Sequence, residues 1–195
     1  MGRVSTFSEQ QIFQTVSRQM SGEGAVTFRS LVKETGVSIG SLYHRFDSRE
    51  GLLAETWADA LTSFQRRFLA ALVANDEDAG VNAALATPRF CRAEPERAAL
   101  LACCRASEFL SEATPSAIRD SINDGNDEVQ RAVRRYASRV GLSLQACRMG
   151  LMAFPLGAVR AYLPDRAVPR SVDRYVAAAF KAIEADELTP DSTKK

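Results

Sequence analysis

Apolar positions along the chain recur at helical spacing. Ile12, Val16 and Met20 fall four apart and form one stripe. Ser8 precedes them with Gln11 three residues on, the spacing of a capping box, and Phe7 is placed to staple against Ile12 across that cap. Residues 21–25, with Gly22 and Gly24, read as a loop. Thr27 then predicts the N-cap of a second helix, in which Phe28, Leu31, Val32 and Thr35 keep the i, i+3, i+4, i+7 rhythm. Gly36 supplies the left-handed residue that ends it. Val37 turns inward and Ser38 caps a third, short helix almost at once, with Leu42 and Phe46 sharing its core side. Asp47, with Glu50 three residues later, predicts the start of a fourth helix running to about Val73. Leu52, Leu53 and Trp57 continue the apolar face on that helix.

Further along, Pro88, Pro95, Pro115, Pro164 and Pro169 punctuate segments that otherwise read as helices, so each predicts a boundary. No β-branched run alternates with polar residues over strand length, and no internal repeat is visible. The chain therefore reads as all α. Residues 144–163 are rich in small and apolar side chains, including Gly150, Ala153, Gly157 and Ala161, with Pro155 predicting a kink. Val172, Tyr175, Val176, Ala179, Phe180 and Ile183 form a broad stripe on a last helix. The polar tail, 188–195, carries Pro190 and reads as frayed.

Composition narrows the chemistry. The 195 residues are 46% apolar and 25% charged, which excludes wholesale disorder. Formal net charge is +1, and residues 1–50 hold six Lys/Arg against five Asp/Glu, so no bulk positive field exists to hold an anionic polymer. A single histidine, His44, removes every site needing two imidazoles. No phosphate-cradling glycine loop and no nucleophile elbow is present, and neither metal nor cofactor is expected. Cys91, Cys103, Cys104 and Cys147 make no C-x-x-C, which suits unpaired thiols in a reducing cytoplasm. Met1 to Thr6 fit the loose myristoylation pattern, but no polybasic second anchor follows. No apolar stretch reaches membrane-spanning length.

The informative stretch is the pair of short helices about Gly36. Two such helices joined by a tight turn, the second polar on one face, fit a helix-turn-helix. A helix is the right width for the major groove, and its N-terminal residues reach base edges best. Gly40 and Ser41 let the backbone come close, while Tyr43 and His44 can donate to phosphates. Arg29 is long enough for a base or the backbone, and Arg49 sits in the first turn of the fourth helix, where free N–H groups favour anions. The alternatives are a helical hairpin packed in a bundle, a surface His44 without a task, and a merely solvated Arg29.

The run Thr27-Phe28-Arg29-Ser30-Leu31-Val32, then Gly36 through Leu53, closely resembles the DNA-binding domain of TetR/AcrR-family transcriptional regulators. The likeness covers roughly residues 8–57; beyond Trp57 it is architectural only. It implies Thr27 and Tyr43 at phosphates, Arg29 near a base, Ser38, Ile39, Gly40 and Ser41 at the groove, and His44 beside the backbone. Arg49 stands where these proteins usually carry lysine. Ile39, at a position often polar in relatives, suggests contact with a thymine methyl or no base contact.

The same resemblance implies a three-helix DNA-binding domain over 1–50, a helical effector-binding and dimerisation domain over 51–187, and a tail over 188–195. Phe64, Phe68, Phe90, Cys103, Phe109, Met149, Met152 and Phe154 are candidates to line an apolar effector pocket, or else ordinary core. Ala153, Gly157, Ala161, Val172, Val176, Ala179, Phe180 and Ile183 are candidates for a homodimer interface, unless the stripe packs within one subunit. The expectation is a cytoplasmic, non-enzymatic regulator, more in keeping with repression than activation, that binds a palindromic DNA operator as a homodimer. Its effector would be a small apolar or amphipathic molecule, with no membrane partner. The rivals are a helical carrier of lipid-like molecules without specific DNA binding, and a helical enzyme whose catalytic pair is not evident.

Overall fold

The structure, a computed structural model, describes residues 8–74 and 77–188, which hold helices and turns but no strand. Phe7, the Met1–Thr6 pattern and the tail beyond Leu188 lie outside the described residues. The helices are α1 (Glu9–Glu23), α2 (Phe28–Thr35), α3 (Ile39–Phe46), α4 (Arg49–Leu72), α5 (Ala79–Ala93), α6 (Pro95–Cys103), α7 (Ser116–Val140), α8 (Leu144–Arg148), α9 (Phe154–Arg160) and α10 (Ser171–Leu188). A 3₁₀ turn spans Ala106–Glu108, and a π-helical turn, Met149–Ala153, joins α8 to α9.

Local chemistry sets the first boundaries. Ser8 Oγ accepts from the Gln11 N–H, and α1 continues through Gly22 to end at Gly24, whose φ is 71°. The loop expected from residue 21 is therefore shorter, because one glycine in a last turn does not stop a helix. Thr27 and Ser30 form a reciprocal capping box on α2, and Gly36, also at φ 71°, closes it. Ser38 Oγ caps α3 through the Ser41 N–H at 3.0 Å. Asp47 does not start α4 as expected. It ends α3 with φ 65° and its N–H on the Tyr43 carbonyl, while Ser48 Oγ takes the Gly51 N–H and opens α4.

The chain divides into two compact units, Met1–Thr62 with Glu94–Asn123, and Ser63–Ala93 with Asp124–Lys195. The boundary expected at residue 50 falls inside α4, which contributes to both. In the first unit Phe13, Val16, Leu31, Val37, Leu42, Phe46, Leu52 and Trp57 bury a common core with Leu100 of α6, Phe109 and Ile122. α1 lies along α6, so the three N-terminal helices rest on more than α4. Arg97, mostly buried on α6, bonds Asp59 and Glu94 at 2.7 Å each. Burial works against its charge, yet the two carboxylates win and make its proton harder to remove.

In the second unit α5 presents Ala79, Gly80, Ala83 and Ala84, all buried, toward α10 and α9. These small residues admit close packing: a Cβ at Gly80 would collide with the Tyr136 hydroxyl and the Phe180 ring. Pro88, expected at a boundary, lies inside α5 with its ring fully buried. The segment expected as one kinked helix over 144–163 instead widens at the π turn. There the Phe154 N–H reaches back to the Met149 carbonyl, and Pro155, which has no N–H to donate, follows in the first turn of α9.

Candidate nucleic-acid interface

The outer face of α2–turn–α3 is built from side chains that the core does not use. Thr27, Arg29, Ser38, Ile39, Gly40, Ser41, Tyr43, His44 and Arg49 are all exposed, whereas Leu31, Leu42 and Phe46 turn inward from the same two helices. Ile39 and Tyr43 stand 49% and 54% exposed, large side chains left in water on the N-terminal turns of one short helix. The structure thus brings the nine expected DNA-facing residues onto the first unit's surface.

Several are held in place. The Tyr43 ring meets Phe28 edge-on, with centroids 4.7 Å apart, which orients a side chain that solvent alone would leave free. Ser38 Oγ, besides capping α3, lies 2.8 Å from Ser41 Oγ. A Cβ on Gly40 would meet only Ser38 Oγ at 3.9 Å, so nothing inside the chain requires glycine there. That leaves α3 smooth toward the outside, where a groove wall can approach. Gly51 is different: a Cβ there would strike the Phe46 carbonyl, so the α3–α4 turn itself demands glycine.

The basic residues divide by role. Arg29 and His44 have no hydrogen-bond or ion-pair partner among the described residues. Arg49 Nε donates to the Val26 carbonyl at 3.0 Å, so it braces the residue before Thr27, with Nη1 4.0 Å from Glu50. Its guanidinium is therefore partly engaged rather than wholly free for phosphate. Arg45, in the last turn of α3, is spent internally: it bonds Glu9 of α1 and both oxygens of Glu55 on α4. The hydrogen bond to Glu9 leads in pushing its pKa up and draws the Glu9 carboxyl below its ordinary range. On α2, Glu34 binds Arg18 and Gln19 of α1, and Ser30 donates to Gln19 at 2.8 Å. These polar ties fix α1, α2 and α3 as a rigid platform.

Residues 21–56, which hold the whole platform from the end of α1 into α4, match the bacterial regulatory proteins of the tetR family. That segment therefore carries the DNA-binding helix-turn-helix of this family. Solved structures extend the likeness in fold across nearly its full length. PfmR, a TetR family transcriptional regulator from Thermus thermophilus, is 22% identical, with a TM-score of 0.67 over 91% of this chain and 96% of its own. A protein assigned to the tetR family from Shewanella sp. PV-4 is 16% identical, with a TM-score of 0.63 over 92% and 98%. No curated protein sequence matches.

The platform hides two contributors from sequence reasoning. Phe28 reads as plain core, yet it is the ledge for Tyr43, fifteen residues away, where no local pattern could show the pairing. Gly51 is legible only in retrospect, as the residue three beyond the cap Ser48.

The residues expected to line one effector pocket divide between the two units. Phe64, Phe68 and Phe90 pack on one another, with centroids 6.0 and 5.5 Å from Phe64, in the core of the second unit. Phe109 stacks beside Trp57 in the first unit, and Cys103 is exposed there. Met149 and Phe154 are exposed, and Met152 lines a groove. Of the expected dimer residues, Val172, Val176 and Phe180 are buried within the chain, against α5 and the π turn, so that stripe is internal core rather than subunit surface. Ala179 and Ile183 are half-buried, while Ala153, Gly157 and Ala161 are exposed. Burial drives the Cys104 and Cys147 thiols up to about 11, so both are protonated at neutral pH. No described helix is long and apolar enough to cross a membrane, and no described group of His, Cys, Asp or Glu could hold a metal.

Proposed function

We propose that this regulator is a ligand-responsive repressor that binds a pseudo-palindromic operator as a homodimer in the cytoplasm. The observation that carries the reading is the outer face of α3: Ser38, Ile39, Gly40, Ser41, Tyr43 and His44 are exposed on a rigid, capped platform and lie outside the core. Inserted in a major groove, Ser41 and Ile39 face base edges, Tyr43 and Thr27 reach the flanking backbone, and Arg29 reaches a base or the backbone beside it. With net charge of only +1, affinity rests on the placement of a few donors, not on a broad field.

Dimerisation is supported by where apolar surface remains. Met149, Phe154 and Tyr175 are large and exposed on the π turn, α9 and α10 of the second unit, where α9 and the residue after it also carry the small, exposed Gly157 and Ala161. A pseudo-palindromic operator presents its half-sites in successive major grooves about 34–36 Å apart, one for each recognition helix of the dimer. Regulation then needs an effector with different affinities for the DNA-competent and incompetent arrangements. No constellation among the described residues supports catalysis, and the regulator acts by binding alone.

Selection of bound duplexes from a random pool tests this, run beside an Arg29→Ala, Tyr43→Ala double variant. An inverted repeat enriched by the wild type and not by the variant is the expected result. A folded dimer that enriches nothing at low salt overturns the reading and favours a helical carrier.

A further inference from the structure

We infer that the groove between α7 and the α8–π-turn segment is the effector site, and that it takes an amphipathic anion: a carboxylate on an aliphatic chain. This rests on the ligand-responsive reading above. The groove, open to solvent on one side, has a volume of about 420 Å³, within the range of small-molecule sites. Its floor is apolar, made by Val133, Leu144, Met152 and Leu156. Arg134 of α7 and Arg148 at the end of α8 stand on its walls, and neither has a hydrogen-bond or ion-pair partner among the described residues.

The π turn shapes this site. Met152 and Ala153, adjacent on that turn, both line the groove. Ala153 leaves room beside the flexible Met152 side chain, which can follow chains of different length. Two unpaired guanidiniums over an apolar floor are the wrong surroundings for a neutral hydrocarbon and for a strongly hydrated small anion. They suit a molecule with both parts, the carboxylate bidentate on arginine and the chain on the floor. No acidic residue lines the groove to compete with it.

The test uses the full chain with dodecanoate, dodecanol and acetate as probes, each titrated calorimetrically. Dodecanoate is expected to bind at one per chain, with dodecanol at least tenfold weaker and acetate undetected. Arg134→Ala and Arg148→Ala should each weaken dodecanoate roughly tenfold, the usual size of a charge-assisted hydrogen bond, with little change in dodecanol. Ala153→Trp, which fills the groove, should abolish both. Equal binding of dodecanoate by wild type and both arginine variants overturns the assignment, as does no binding at all. So does loss of the dimer in Ala153→Trp without any lipid binding by the wild type, which would make a second copy the occupant. Because binding is read directly, charge-selective uptake with unaltered operator affinity upholds the site and overturns ligand-responsive repression instead.

Discussion

Phe28 is expected to control DNA affinity without touching DNA. Its ring holds the half-exposed Tyr43 edge-on at 4.7 Å, and such pairs are worth about 0.5–1.5 kcal/mol beyond area burial. Phe28→Ala releases Tyr43 to its other rotamers, so the phenol must be ordered anew on binding. Affinity should then fall by roughly 2- to 13-fold for each recognition helix engaged. Stability falls as well. Phe28 is only half-buried, so truncation costs about 2 kcal/mol, roughly half the 3–5 kcal/mol of a fully buried phenylalanine. For a chain of this size that is a Tm drop of roughly 4–8 °C, which leaves the variant folded at 25 °C. The decisive assay is a double-mutant cycle of Phe28→Ala with Tyr43→Ala, read by fluorescence anisotropy on the selected operator at fixed salt. If Phe28 acts through Tyr43, the second substitution costs much less once the first is made. Strict additivity would refute the positioning role and leave Phe28 as core alone.

Other expectations follow from the same contacts. Gly80→Ala should destabilise by about 1–3 kcal/mol, since its methyl meets the buried Tyr136 and Phe180, and overpacking outweighs the gain in helix propensity; Gly22→Ala, with nothing within 4 Å, should be neutral or stabilising in the same thermal melts. Arg29→Ala should lower the slope of log K against log salt by about 0.9 for each phosphate it no longer neutralises, whereas Tyr43→Phe should weaken binding with no change in slope, as salt titrations would show. Glu34 and Glu9 have pKa values lowered from the ordinary 4.5, chiefly by hydrogen bonds from Arg18 and Arg45. Their stabilisation is complete above that value and is lost as pH falls through the lowered folded one, so Glu34→Gln should flatten the loss of Tm on acidification below 4.5.

How much of this is legible in the sequence depends on the range of the interactions. Thr27, Ser38 and Gly36 act within three or four residues of themselves, and the structure uses each as its spacing implies. Asp47 and Ser48 are both good capping residues one position apart; only the positive φ of Asp47 decides that it closes α3 and that Ser48 opens α4. Pro88 misleads because burial of its ring inside α5 offsets the lost hydrogen bond, a balance that local propensity cannot see. The stripe on α10 correctly announces burial but not against what, and its partner is the small-residue face of α5 in the same chain. Aromatic residues spread over the sequence suggest one shared pocket. Phe64, Phe68 and Phe90 instead pack in the core of the second unit, Phe109 packs in that of the first, and Phe154 is exposed, while the groove beside α8 has no aromatic residue in its lining.

α4 contributes residues to both cores, and under the proposed ligand-responsive reading it is the element through which an effector would act. Leu52, Leu53 and Trp57 of this helix are buried in the first unit, and Phe68 and Leu72 in the second. Its 24 residues span about 36 Å at 1.5 Å per residue, with no proline or glycine between Gly51 and Leu72 to absorb a bend. A displacement imposed at one end is therefore carried to the other rather than lost in the helix. At its N-terminus, Arg49 ties the Val26 carbonyl and Glu55 ties Arg45, so a shift of α4 pulls on both ends of the recognition platform. DNA binding that depends on the placement of a few donors, not on bulk charge, is the kind that such small displacements can switch off.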